Sequence, residues 1–318
     1  MSERLRVLAV GEALVDIVKP ADSEATEHVG GSPANVAVGV AALGHPTMLA
    51  TFIGRDERGE MIANYLAERE VGLVEGSQDA PRTSTATAKL DDEGGATYDF
   101  DLEWQVPSID LASFAHVHTG SIAATLQPGA SDVFTVMSEA REHATVSYDP
   151  NARPTIMGSA HDARNTIEER IGRCDVVKAS AEDIEWLYEG AEASQVARLW
   201  GRLGPPLVII TDGRSGALVY HTPTDSQTWV DAPSINVVDT VGAGDSFMGG
   251  LISGLLDAGL LGSPAARERL TEASSEALTA AVQRGIASAA YTVARAGAAS
   301  PTREDLDIPV TAEAGDDG

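Results

Sequence analysis

Short runs rich in Val, Ile and Leu alternate along the chain with longer segments in which apolar residues recur every three or four positions. The runs RVLAVG (6–11), TMLATFIG (47–54), AHVHTG (115–120), ATVSYDP (144–150), CDVVKAS (174–180) and PLVIITDG (206–213) predict strands. Segments such as ERGEMIANYLAERE (57–70) and DARNTIEERIG (162–172) predict helices between them. Regular alternation of this kind predicts an α/β fold, a mostly parallel sheet with helices on both faces. In such sheets ligands bind beyond the carboxyl ends of the strands.

One region departs from the pattern. Residues 83–104 read TSTATAKL and ATYDFDLEW around an acidic, glycine-bearing turn at Asp91–Gly95, with period-two alternation on both sides. This predicts a β-hairpin. Its faces are weakly apolar, so it is expected to stand off the main core as a flap or a homodimer contact. The segment LVDIVKPADSEATEHVGG (14–31) also reads as extended and could pair with it. Pro/Ser-rich linkers, internal repeats and low-complexity blocks are missing from the sequence, which predicts one domain over 1–310. The end of the chain, TREDLDIPVTAEAGDDG, holds six acids against one arginine, and 311–318 is expected to be a solvated, disordered tail.

Composition narrows the function classes. With 22 basic and 48 acidic residues the formal net charge is −26, a field that repels nucleic acid and anionic membranes. An anionic substrate would then need backbone amides or a metal ion to help it in. Aromatics are only 5 % of the chain, so the core must be built from aliphatic side chains. A lone cysteine, Cys174, excludes an intrachain disulfide and fits a reducing cytoplasm; it reads as a small buried hydrophobe. Nothing approaches the ~18 uninterrupted apolar residues of a membrane span.

The chemistry concentrates in DTVGAGDSFMGG, Asp239–Gly250. The extended run INVVDT (235–240) and the helical period of GDSFMGGLISGLLDAG (244–259) place the small turn where a strand feeds a helix. Unpaired amides of Gly242, Ala243 and Gly244 could point into one space at the positive end of the helix dipole. Asp245, beside those donors, would stay ionised and able to accept a proton. An anion hole with an adjacent base is what phosphoryl transfer to a hydroxyl requires. Alone, the pattern could equally be a tight turn with Asp245 as a helix cap.

Two further stretches add to it. In GGSPANVAVGVAALG (30–44), Ser32-Pro33 signals a helix start, Gly30-Gly31 lets a ligand touch backbone, and Asn35 sits one turn in, able to hold hydroxyls. GEALVD (11–16) carries Asp16 past the end of the first strand, where a carboxylate suits paired sugar hydroxyls. Other chemistries lack their patterns: no GxxxxGK[ST], no GxGxxG after the first strand and no GxSxG is present. His116 and His118 share one face of a strand without the partner pattern of a metal site.

Together, GGSPANVAVG and DTVGAGDSF resemble the two signature segments of the PfkB, or ribokinase-like, carbohydrate kinases, and the resemblance runs from about residue 5 to 303. GEALVDIV, DPNARP (149–154) and GAASPTRED (297–305) resemble the fructokinase-like branch. The resemblance implies a doubly wound α/β domain with a small β-sheet lid over the sugar, made by segments about 14–31 and 83–104. It assigns Asp245 as general base and Gly242, Ala243 and Gly244 as the anion hole. Asp16, Gly30, Gly31 and Asn35 fall on sugar-holding positions, and Ser180, Thr211, Gly213 and Gly216 on nucleotide-binding ones. Asp239, Val241, Gly297 and Ser300 fall near an activating potassium site.

The family's Asn-x-x-Glu segment, which helps position magnesium-bound phosphates, is here Ser180-Ala-Glu-Asp183, with Asp183 acting through water. Leu14 replaces the asparagine of ribose kinases, which argues against ribose. Arg153 could meet a charged or keto end, keeping 2-keto-3-deoxygluconate open, while the scarcity of aromatics disfavours a nucleoside. The expected function is an ATP-, Mg2+- and possible K+-dependent cytoplasmic sugar kinase acting on fructose. A non-catalytic sugar-binding relative is the rival outside enzymes.

Overall fold

The computed structural model describes residues 5–19, 24–90 and 96–309. Strands β1 (Val7–Val10), β2 (Leu14–Lys19) and β3 (Thr26–Gly30) lead to helix α1 (Ser32–Ala42). Next come β4 (Thr47–Ala50), α2 (Glu57–Ala67), β5 (Val71–Leu73) and the hairpin strands β6 (Thr85–Leu90) and β7 (Ala96–Asp101). The middle of the chain folds as β8 (His116–Gly120), α3 (Gly129–Ala140), β9 (Thr145–Asp149), α4 (Pro154–Met157) and α5 (Ala160–Ile171). It continues through β10 (Val176–Ser180), α6 (Ala181–Leu187), α7 (Ala193–Gly201), β11 (Leu207–Asp212), β12 (Gly216–His221) and β13 (Ser226–Asp231). Helices α8 (Ala243–Asp257), α9 (Pro264–Thr271) and α10 (Ser275–Val293) complete it.

Nine strands form one sheet in the order β13-β12-β11-β10-β9-β8-β1-β4-β5; β12 alone runs against the rest, so its pairings with β11 and β13 are antiparallel. All six strands predicted for it are present. The expected feed of α8 by a strand is not: 232–242 carries no regular structure, and the chain reaches α8 from the edge strand β13 through an irregular loop. The β-branched residues of INVVDT mislead because Ile235 and Val238 lie exposed and no strand among the described residues pairs with them. The Val238 amide donates instead to the Val293 carbonyl at the end of α10.

Period-two alternation sorts each strand's side chains between the two helical layers. Along β11, Val208 and Ile210 join the core containing Val196 and Trp200 of α7, while Leu207 and Ile209 join Leu251 and Leu255 of α8. Helix α8 lies nearly backbone to backbone against its neighbours. A Cβ on Gly249 would be 3.3 Å from Gly39 Cα in α1, and one on Gly254 would be 2.8 Å from Ala281 Cα in α10. That contact fixes where the amino end of α8 sits. Cys174 is buried as expected, with Sγ against the Arg170 carbonyl.

The second, small sheet, β3-β2-β6-β7, is built from the two segments expected to form a lid. Strand β2 pairs in parallel with β6, Val15 opposite Thr85, and antiparallel with β3, Asp16 opposite His28. The hairpin pairs Thr85 with Asp101; its turn at Asp91–Gly95, like the tail 311–318, lies outside the described residues. No helix among the described residues is long and apolar enough to cross a membrane.

Candidate active site

The site is built on the amino end of α8. Gly242 precedes the helix in the left-handed region at φ +74°, and a Cβ there would lie 2.5 Å from Ala298 Cβ. No side chain caps this end. One of the three amides expected to be free is taken: Ala243 N–H donates to the Thr240 carbonyl at 3.2 Å, closing the turn. The amides of Gly242 and Gly244 have no acceptor among the described residues, so two of the three expected amides stay open.

Asp245 is buried in the first turn of the helix. Its carboxylate meets α1 rather than the amides of its own turn. Ser32 Oγ donates to Oδ1 at 2.6 Å, Asn35 Nδ2 to Oδ2 at 2.8 Å, and Asn151 Nδ2 reaches Oδ1 at 3.3 Å and Ser32 Oγ at 2.8 Å. Burial pushes the Asp245 carboxyl above its usual range, against the pull of Ser32, Asn35, Lys178 and Arg153. A carboxylate with raised proton affinity and fixed orientation is a better base than a free one.

Helix α1 supplies those partners because its start is shaped by Gly31 and Pro33. Gly31 adopts φ +110°, and a side chain there would strike the Glu12 carbonyl. Gly30 is bare for a different reason: a Cβ would collide with the carboxylate of Asp16, which is exposed on the lid strand β2. Asn35 keeps its Oδ1 as an acceptor after giving Nδ2 to Asp245. Arg153 is exposed, and its Nη1 donates to Asn151 Oδ1 at 2.7 Å and to the Asn151 and Ala152 carbonyls. Its charge acts on Asp16, Glu12 and Asp245.

The segment after β10 is a capping box. Ser180 Oγ accepts from Asp183 N–H at 3.0 Å and donates to Asp183 Oδ2 at 2.8 Å, while Ser180 N–H also donates to Oδ2. The other oxygen of Asp183 accepts from Ala152 N–H at 2.7 Å. Both oxygens are therefore engaged in holding α6 and the 149–153 loop. Thr211 lies beside Ser180 in the sheet register and donates to the Ala179 carbonyl. Gly213 is exposed with open space where a side chain would be, whereas Gly216 is bare because the Val230 carbonyl occupies that volume. Asp239 ties two loops together, accepting from Val241 N–H at 3.0 Å and Gly297 N–H at 2.9 Å, which lower its proton affinity. Ser300 lies against α1 near Gly39.

Four residues with no part in the chemistry expected from the sequence belong to the same space. Ser32 and Asn151 hold the base, and Lys178 in the middle of β10 forms a buried pair at 2.9 Å with Asp149 at the end of β9. A signal for Lys178 was available, since a lysine inside the apolar run VVKAS has to be paired. Nothing in the sequence pattern announces Ser32 over any other helix-starting serine. His116 and His118 are core residues: Thr145 and Ser147 hydroxyls meet their rings, and burial lowers both to about 3, so they stay neutral. No three His, Cys, Asp or Glu side chains among the described residues cluster as a metal cage.

Comparison with known proteins agrees with this architecture. Residues 4–305 match the pfkB family carbohydrate kinase. A fructokinase of Klebsiella pneumoniae is 31 % identical over 268 residues, covering 80 % of this chain and 86 % of its own. The crystal structure of a fructokinase with bound ATP from Xylella fastidiosa superposes with a TM-score of 0.81 at 25 % identity, over 95 % of this chain and 96 % of that one. A Vibrio cholerae fructokinase double mutant with fructose, ADP and potassium ion bound gives 0.78 at 26 % identity, over 96 % and 99 %. The chain belongs to the pfkB family of carbohydrate kinases and is a sugar-phosphorylating phosphotransferase.

Proposed function

We propose that this kinase transfers the γ-phosphoryl group of ATP to a primary hydroxyl of fructose, with Asp245 as general base. The observation that carries the reading is Asp245 itself, a buried carboxylate fixed by Ser32 and Asn35 one residue beyond the open amide of Gly244. Asp245 takes the hydroxyl proton as the sugar oxygen attacks. The Gly242 and Gly244 amides and the α8 dipole, with Ala243 holding the turn shut, stabilise the charge on the transferring group.

Asp16 would accept two sugar hydroxyls from the lid side, in the room that Gly30 leaves, with Gly31 offering backbone and Asn35 its free Oδ1. Closing the lid over the sugar would exclude water, the competing acceptor. Ser180, Thr211, Gly213 and Gly216 would line the nucleotide. Magnesium arriving on the phosphates needs only one or two carboxylates, the rest of its ligands being water and phosphate oxygens. Asp183, with its oxygens already engaged, would serve it through water. A monovalent cation would fit the loop pair that Asp239 joins, beside Val241, Gly297 and Ser300. The lid sheet would also carry a homodimer contact, which solution mass of a lid-edge charge variant tests.

The exposed Arg153, whose charge reaches Asp16, favours one second reading, an acidic keto sugar such as 2-keto-3-deoxygluconate. ADP release with ATP, magnesium and potassium against fructose, ribose, 2-keto-3-deoxygluconate and adenosine separates the two. Turnover led by fructose is expected; turnover led by the acidic sugar would replace the substrate, and none on any of them would overturn the reading.

A further inference from the structure

Lys178 stands in β10 between Val177 and Ala179 and is 3 % exposed. Its Nζ donates to Asp149 Oδ2 at 2.9 Å, and Asp149 is fully buried. That bond uses one of three ammonium N–H donors, and among the described residues the other two have no acceptor. Their surroundings show where they can be used. A Cβ on Gly244 would lie only 3.1 Å from Nζ, so the ammonium rests against the bare turn that offers the open Gly244 amide. Burial works against its charge, but Asp149, Asp183 and Asp245 outweigh it and keep the lysine protonated.

A pair serving stability alone would not need this arrangement, because a buried ion pair is often replaced by apolar side chains without loss. Unused donors on a buried cation are unfavourable until an acceptor arrives. The carboxylates around it would also repel an incoming phosphate, and Asp183 is already committed to the α6 cap and the Ala152 amide. Arg153 is exposed and bound to its own loop. Among the described residues, Lys178 is the cation fixed at the turn.

We propose that Lys178 is a catalytic residue, donating from Nζ to a non-bridging oxygen of the phosphoryl group in transfer, with Asp149 holding it in place. This rests on the kinase reading above. In the step, the sugar oxygen forms its bond to phosphorus, and the bond from phosphorus to the bridging oxygen of ATP breaks with its electron pair leaving on ADP. The hydroxyl proton goes to Asp245, and Lys178 keeps its own.

Lys178→Met alone would strand the buried Asp149 charge and endanger the fold. The informative protein is therefore the double variant Lys178→Met/Asp149→Asn, which removes both charges together. Its thermal melting, its affinity for ADP, its kcat and its affinity for ADP with aluminium fluoride, a mimic of the phosphoryl group in transfer, are compared with wild type. The expected result is a folded protein with wild-type ADP affinity, a kcat lower by ~10²–10³, as for loss of one oxyanion donor, and no tightening by aluminium fluoride. Near-wild-type kcat and aluminium fluoride tightening in the double variant would make the pair structural and overturn the assignment while leaving the kinase reading intact. A wild-type protein with no turnover on any sugar would instead overturn that reading, and this inference with it.

Discussion

The Ser32 hydroxyl donates to Asp245 Oδ1 at 2.6 Å, joining the first turn of α1 to the first turn of α8 across 213 positions of sequence. The bond orients the base and stabilises its charged form. Ser32→Ala should lower kcat by ~10- to 100-fold, the range of one hydrogen bond to a charged group. Without this donor the carboxyl holds its proton to higher pH, so the acid limb of the kcat profile should move upward. A pH–rate profile checks this; an unmoved limb with full kcat would show that the contact does not act on the base.

Glu12 offers a separate test of burial. It accepts from Ala123 N–H at 3.1 Å beneath the Gly31 turn, and burial pushes its carboxyl up to about 7 from 4.5. The folded state therefore binds this proton more tightly than the unfolded chain. The stability so gained is complete below about pH 4.5 and is lost as pH rises to about 7, reaching ~3 kcal/mol. Glu12→Gln keeps an acceptor for Ala123 without the charge. Its Tm should match wild type near pH 4.5 and exceed it above pH 7; parallel Tm curves across that window would contradict the assignment.

Asp175 is fully buried between two arginines, Arg267 Nε at 2.5 Å and Arg141 Nη1 at 3.3 Å, and also accepts from Val146 N–H at 2.7 Å. It ties the approach to β10 to α9 and to the start of β9, away from Asp245. Asp175→Ala leaves two arginines and a strand amide short of an acceptor and should destabilise by about 3–5 kcal/mol. Urea unfolding measures this. The kcat of the remaining folded enzyme should be unchanged, and a variant of wild-type stability would show the network to be dispensable.

How much of this was legible in the sequence follows from the range of each interaction. Strands such as β11 declare themselves because alternation along six residues is local, and Gly242–Gly244 before a helical period is equally local. What the sequence could not carry is pairing between distant segments. The partners of Asp245 lie on α1 and in the loop after β9, and the availability of each turn amide depends on whether a neighbouring carbonyl, such as that of Thr240, has taken it. The roles of the bare glycines diverge for the same reason. Gly30 yields space to Asp16 and Gly216 to the Val230 carbonyl, distinctions set by neighbours rather than by spacing. The loop 232–242 departs from the expected strand because apolar β-branched residues form one only where a partner strand is at hand.

The most direct test of the account is the initial rate of ADP release from ATP with fructose, measured side by side for wild type and Asp245→Asn. The variant keeps the shape of the buried side chain and loses its capacity to accept the proton. Fructose-dependent turnover is expected in wild type and a kcat lower by ~10²–10⁴ in the variant, with ADP affinity unchanged. Turnover in Asp245→Asn close to wild type would contradict the assignment of Asp245 as the base.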